Sequence, residues 1–290
     1  MDNECKIVKS NDLIESFIFN ATELELQILN YAVAITNPYW DNKDFIYKIS
    51  IPELVSIYKT KSKNIYKTYR EALERLQLRT YKYKNLNKEV TENLLKKIVR
   101  DVDDNSYLEL CFNDFISERI QNLRGLFTQY DIKQIAMFRS RYAFMLYEFF
   151  KMKIQQVNDD MYNQKIEISS FKEKLDLVSK YPVFAELKRN VLDKAKAQIN
   201  KHSDIRVNYE VIKTGRTPTH IKFTAQYKKG KEPQVNLVNQ SETNIPELKV
   251  NQAPADAHLT KEKPVIDREI SKQRLKELKE NLGMKSKENQ

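Results

Sequence analysis

Lys188, Arg189 and Asn190 stand side by side ahead of Asp193 and Lys196, within a stretch whose apolar residues Phe184, Leu187, Val191, Ala195 and Ile199 recur at helical spacing. That spacing predicts a helix over about residues 183–201 with one buried stripe. Projected at about 100° per residue, Arg189, Asn190, Asp193, Lys196, Ala197 and Asn200 point away from the stripe. Lys188 projects toward it, and would reach outward only by burying its stem. The chemistry of such a face is recognition. Arginine matches guanine through two parallel donors and asparagine matches adenine, so Arg189 and Asn190 are the base-reading candidates, while Lys196 suits a phosphate. An ordinary solvated helix carries the same residue types, and only its setting separates the two readings.

Three further cations flank a tight turn and the strand after it. Lys213 and Arg216 bracket Gly215 in KTGR (213–216), and Lys222 follows in HIKF (220–223). They are phosphate candidates, and a glycine there lets the turn approach a backbone closely. Earlier in the chain Lys61, Lys63, Lys67 and Arg70 surround a second helical stripe, Ile65, Tyr69, Leu73 and Leu76, and form the corresponding set.

Bond-making chemistry is harder to write. The chain has four glycines, Gly125, Gly215, Gly230 and Gly283, too far apart for a phosphate-cradling loop or a dinucleotide-binding turn. His202, His220 and His258 stand apart from one another and from Cys5 and Cys111, so no zinc spacing appears. Asp101, Asp103 and Asp104 are acids in a cluster, but they fall where a hairpin must turn. No catalytic residue, metal ligand or cofactor is assigned, and the chain is read as a non-enzyme.

The elements that must position these residues come in a repeated order. Thr22 and Glu25 make a capping box that opens a helix to about Thr36; Phe45, Tyr47 and Ile49 alternate as a short strand; Ser50 and Glu53 make a second box opening a helix to Tyr58. Ser62 is the expected cap of the next helix, and strands over residues 97–102 and 106–112 close the first half. In the second half Ser140 caps a helix bearing Ala143, Leu146, Phe149, Phe150 and Ile154. Ile166 and Ile168 form a strand, and Ser170 with Glu173 is read as the counterpart capping box. The long basic helix follows, and then two strictly alternating strands, residues 205–212 and 220–227, form a hairpin. Residues 115–138, with Ile116, Ile120, Leu123, Phe127 and Ile132 as a stripe, join the halves.

Helix, strand, helix, basic helix, hairpin is the order of a winged helix, met twice. The expected fold class is α+β: two tandem winged-helix domains with a flexible C-terminal tail. The domains are 1–138, including the connecting helices, 139–228, and a tail 229–290. The tail sets Pro233, Pro246, Pro254 and Pro264 among Asn, Gln, Ser and Glu, and its apolar spacing at Ile270, Leu275, Leu278 and Leu282 predicts a short terminal helix, either partner-binding or solvated.

Composition fits this architecture. Hydrophobic residues make up 41% of the 290, enough to build two modest cores, and the net charge of +10 calls for a polyanionic partner. No apolar run approaches the ~18 residues of a spanning helix, and the amino terminus does not read as a signal peptide. With two cysteines and no disulfide framework, the expected location is the cytoplasm, with no membrane partner.

FAELKRNVL (184–192), QIN (198–200), the strand over 205–211, KTGR and HIKF together resemble the carboxy-terminal winged helix of the initiator replication proteins of iteron-bearing, theta-replicating plasmids. LIES (13–16), TELELQ (22–27) and SRYAFMLYE (140–148) are similar to that family too, so the resemblance spans about residues 13–227. It places the family's major-groove basic cluster on Lys188, Arg189 and Asn190, with Asn190 where a third basic residue is common. It also implies partners: double-stranded DNA of repeated origin sites, a second copy of the chain in a monomer–dimer equilibrium, and the host initiator and replicative helicase. Autorepression of the chain's own gene is implied as well. The competing expectation is a winged-helix transcriptional regulator with no replication role.

Overall fold

In the computed structural model, residues 5–16, 21–85, 88–101, 104–123, 125–157 and 161–231 are described. The chain opens with β1 (Lys6–Ser10), α1 (Asn11–Glu15) and α2 (Glu23–Ala34). The Thr22/Glu25 capping box is present in both directions, which satisfies two of the donors that every helix start leaves unpaired. β2 (Tyr47–Ser50) leads into α3 (Ile51–Tyr58), where the Ser50 hydroxyl accepts from the Glu53 N–H at 3.3 Å. The Glu53 carboxylate does not return the bond; it accepts from the Tyr31 phenol instead.

α4 (Ile65–Gln77) begins later than a Ser62 cap would have it, with Asn64 at the N-cap position. The Ser62 hydroxyl instead accepts from the Asn64 N–H at 3.3 Å and meets the Thr68 hydroxyl, bonds that organise the loop before the helix. A hairpin of β3 (Thr80–Asn85) and β4 (Lys88–Asn93) then intervenes, an element the apolar spacing did not announce. β5 (Leu95–Val99) and β6 (Tyr107–Phe112) complete the sheet. Asp101 and Asp104 do hold the turn between them, accepting from the Asp104 and Ser106 N–H groups at 3.1 and 2.8 Å; Asp103 lies outside the described residues.

Residues 115–138 are not one helical stripe. They divide into α5 (Asp114–Ile120), β7 (Phe127–Asp131) and a short 3-10 turn, and β7 pairs antiparallel with β1, so Phe127 lies on a strand and is exposed. The chain's two ends of this first module therefore meet in one two-stranded sheet.

The second half follows with α6 (Arg141–Gln156), β8 (Met161–Glu167), α7 (Ile168–Lys174), α8 (Phe184–Leu187), a π-helical turn (Lys188–Leu192), α9 (Asp193–His202), β9 (Ile205–Thr214) and β10 (Thr217–Tyr227). Ile168 starts α7 rather than ending β8, and Ser170 lies inside that helix, so the expected capping box with Glu173 does not form; Glu167 occupies the N-cap position. The strand order is β8-β10-β9 here and β2-β6-β5 in the first half, so the two sheets have the same topology. Repetition of pattern in the sequence is repetition of fold.

α6 joins them. It is buried almost all round, with Tyr142, Phe144, Met145, Tyr147, Phe150 and Met152 among its covered residues, which is the signature of a helix packed on two sides. From one turn Glu148 pairs with Lys9 of β1 at 2.6 Å and accepts from the Tyr130 phenol of β7. From the next, Lys151 pairs with Asp204 between α9 and β9. The first helix of the second module is thus also core of the first. No helix among the described residues is long and apolar enough to cross a membrane. The tail helix expected near residues 267–282 lies outside the described residues.

Candidate nucleic-acid interface

Leu187, Val191, Leu192, Ala195 and Ile199 bury the inner face of the long basic helix. Four of these belong to the predicted stripe. Leu192 is the addition, and the π turn accounts for it: one extra residue in the turn lets Val191 and Leu192 both face inward. The same turn corrects the position of Lys188. A uniform projection set it against the core, but its side chain is 47% exposed, and its ammonium donates to the Asp193 carboxylate at 2.9 Å. That hydrogen bond holds the ammonium above the usual lysine range. Arg189 is exposed beside it, and Asn190 is half-buried.

Asp193 also accepts from the Tyr209 phenol, so one carboxylate links the helix to β9. Burial alone would raise its pKa, but the bonds from Tyr209 and Lys188 outweigh that and hold it low. Burial and the neighbouring carboxylate push the Tyr209 phenol up to about 12, so it stays a donor. Lys196 donates to the Asn208 side chain at 2.5 Å and lies 5.5 Å from the Tyr209 ring centroid. Asn200 is not free. Its amide donates to the Val207 carbonyl at 2.8 Å and its oxygen accepts from the Val207 N–H at 2.7 Å, pinning the end of the helix to the wing.

The wing turn is Gly215 and Arg216, closed by the Thr214–Thr217 pair, with Gly215 at φ +62, a conformation open to glycine at little cost. Lys213 and Arg216 are exposed at this tip. Lys222 is set back along the strand, half-buried, with Lys165 and Glu210 as its register neighbours. Pro218 is tolerated in β10 because it lies beyond the β8 pairing and next to a bulge.

In the first module Lys61 and Lys63 are exposed in the loop between α3 and α4, and Lys67 is exposed on α4, 3.8 Å from Glu71. Arg70 donates to Asn105 in the turn between β5 and β6, tying that helix to its own wing as Asp193 and Asn200 tie the other. The two basic sets are parts of separate modules, each on the last helix before a sheet hairpin and in the turns beside it.

Family models match both halves. The model described as "Initiator Replication protein, WH1" covers residues 6–151, and "Initiator Rep protein, WH2" covers residues 167–225. The chain belongs to the initiator replication protein family. Members of this initiator family bind DNA, and the two winged helices are its WH1 and WH2 domains. No curated protein is significantly similar to the chain in sequence. Among solved structures, the crystal structure of the Pi initiator protein in complex with iteron DNA superposes with a TM-score of 0.66 at 23% identity, over 79% of this chain and 100% of the Pi chain, a likeness of fold. The WH1 domain of a replication protein isolated from a multiple sclerosis patient aligns at 16% identity over 35% of this initiator and 73% of its own length, with a TM-score of 0.25, too low to bear on the fold.

Proposed function

We propose that the chain initiates plasmid replication by binding repeated origin sites through both winged helices. In the second module α8, the π turn and α9 enter the major groove; Arg189 and Asn190 read bases, and Lys196 meets a phosphate. Lys188 and Asp193 act as a unit, the carboxylate aiming the ammonium. Lys213 and Arg216 at the wing tip, with Lys222 behind them, hold adjacent phosphates. In the first module Lys61, Lys63, Lys67 and Arg70 do the same at a neighbouring groove.

The observation that carries this reading is the exposure of Lys188 and Arg189 together on the helix that follows α7, with Lys213 and Arg216 exposed at the wing tip of the same module. The Pi protein, whose fold is similar, was seen with iteron DNA. Monomers acting on repeats, dimers repressing the chain's own promoter, and recruitment of host initiator and helicase belong to the same proposal, with the cytoplasm as the location.

Binding-site selection from random duplexes tests it. Arg189→Ala should lose about 1–3 kcal/mol on the selected site and relax one base position, whereas Lys213→Ala and Arg216→Ala should weaken all sequences alike. An Arg189 variant with unchanged base preferences moves base reading to another residue.

A further inference from the structure

The chain passes from the first module into α6 through Arg139 and Ser140. At that point the Gln198 side chain of α9 reaches back: its amide oxygen accepts from the Arg139 N–H at 2.7 Å and from the Ser140 N–H at 3.1 Å. An amide oxygen has two lone pairs, and both are used. The Arg139 guanidinium meanwhile faces the first module. It donates to the Tyr58 carbonyl at 2.6 Å and to its own loop at Phe138 and Ala136, at 2.7 and 3.2 Å, and lies 3.8 Å from the Glu23 carboxylate. Tyr58 is the last residue of α3, and Lys59 after it turns left-handed at φ 49, so this carbonyl has lost its helical partner and sits at the negative end of the helix dipole.

We propose that Arg139 and Gln198 form a positioning clamp that sets the angle between the two helix-turn-helix units, and through it the base-pair spacing the initiator accepts between its two contact blocks. The clamp rests on the reading that both modules dock on one duplex. α6 already packs on both modules, but apolar packing is non-directional and tolerates sliding, whereas hydrogen bonds from one residue to α3 and α9 fix rotation. One base pair more or less moves a major-groove entry by about 3.4 Å and turns it by roughly a tenth of a helical turn. Small angular play at residue 139 is enough to admit the wrong spacing.

The test is site selection by the full chain from a library of random duplexes about three helical turns long. The wild type should return two sequence blocks at one spacing, with a base-pair insertion between them lowering affinity about tenfold. Gln198→Ala removes the shared acceptor without changing charge; it should return the same blocks at two or more adjacent spacings, with the insertion penalty under about threefold. Gln198→Glu keeps an acceptor and should keep the single spacing. Arg139→Met frees the Tyr58 carbonyl and should widen the spacing as well, which decides the matter where Gln198→Ala does not fold. Recovery of both blocks shows that both modules of a variant are folded. One unchanged spacing in Gln198→Ala and Arg139→Met overturns the clamp alone. A wild type that returns a single block overturns the two-module reading and the clamp with it.

Discussion

Lys151→Met should destabilise the initiator by about 3 kcal/mol, and adding Asp204→Leu should restore most of it. The Lys151 and Asp204 side chains are 6% and 12% exposed, so removing the lysine leaves a buried carboxylate without its counter-charge, a change that costs about 3–5 kcal/mol in comparable pairs. Two features place this one at the lower end. Asp204 keeps the Tyr147 phenol at 3.0 Å, and burial pulls the Lys151 ammonium below the usual lysine range, so the lysine itself carries a desolvation penalty that the substitution removes. Methionine keeps the stem's contacts and loses the approach of the ammonium to the Tyr227 ring, 4.4 Å from its centroid. Urea unfolding of the wild type, both single variants and the double variant closes the cycle. A Lys151→Met loss under about 1 kcal/mol, or a double variant no better than the single, would refute the claim that α6 is held to the second module through this pair.

Glu25 is fully buried, hydrogen-bonded by Arg79 at 3.0 Å and paired with Arg75 at 3.2 Å. Burial by itself would raise its pKa, but bonds from Arg79 and Thr22 outweigh that and hold it below 4.5. Its stabilisation is therefore complete above about pH 4.5 and lost as the pH falls through the lower folded value; the stability gap between wild type and Glu25→Gln should close on acidification, measured by urea unfolding at each pH. Asn200→Ala should lose about 1–3 kcal/mol of stability by freeing both Val207 backbone groups, with the selected bases unchanged; altered bases would return Asn200 to the reading face. Phosphate contact by Lys196, Lys213, Arg216 and Lys222 of the second module and Lys61, Lys63, Lys67 and Arg70 of the first predicts a slope of log K against log salt of about −7, roughly 0.9 for each, and salt-independent binding would contradict the electrostatic account.

Much of the fold was legible because local chemistry and tertiary packing agree where the apolar period is clean. Thr22 with Glu25, the alternation through Ile205 and Val207, and the repeat itself all appear in the structure as read. Ser170 misled because a serine three residues before a glutamate has the form of a capping box anywhere, and β8 runs on to Glu167 and hands directly to α7. Lys188 misled because a projection assumes 3.6 residues per turn, and the π turn leaves no mark in composition. On α6 the stripe through Ala143, Leu146 and Phe150 hid a second buried face at Phe144, Met145 and Tyr147, since a helix shared between two cores is apolar all round. Tyr209 falls in the same alternating row as Ile205 and Val207, yet its phenol reaches the Asp193 carboxylate, a bond the alternation does not signal. Arg139 and Gln198 gave no signal, because the bonds that join them go to backbone atoms.

Hydroxyl-radical footprinting of the full chain on one origin repeat, at the lowest protein concentration that binds, tests the central claim most directly. Two unlike winged helices in one chain have no internal two-fold axis, so a single copy should protect a non-palindromic site at two major-groove entries on one face, about 10–10.5 bp apart. Protection confined to one major groove, or a requirement for a palindrome at that concentration, would contradict it.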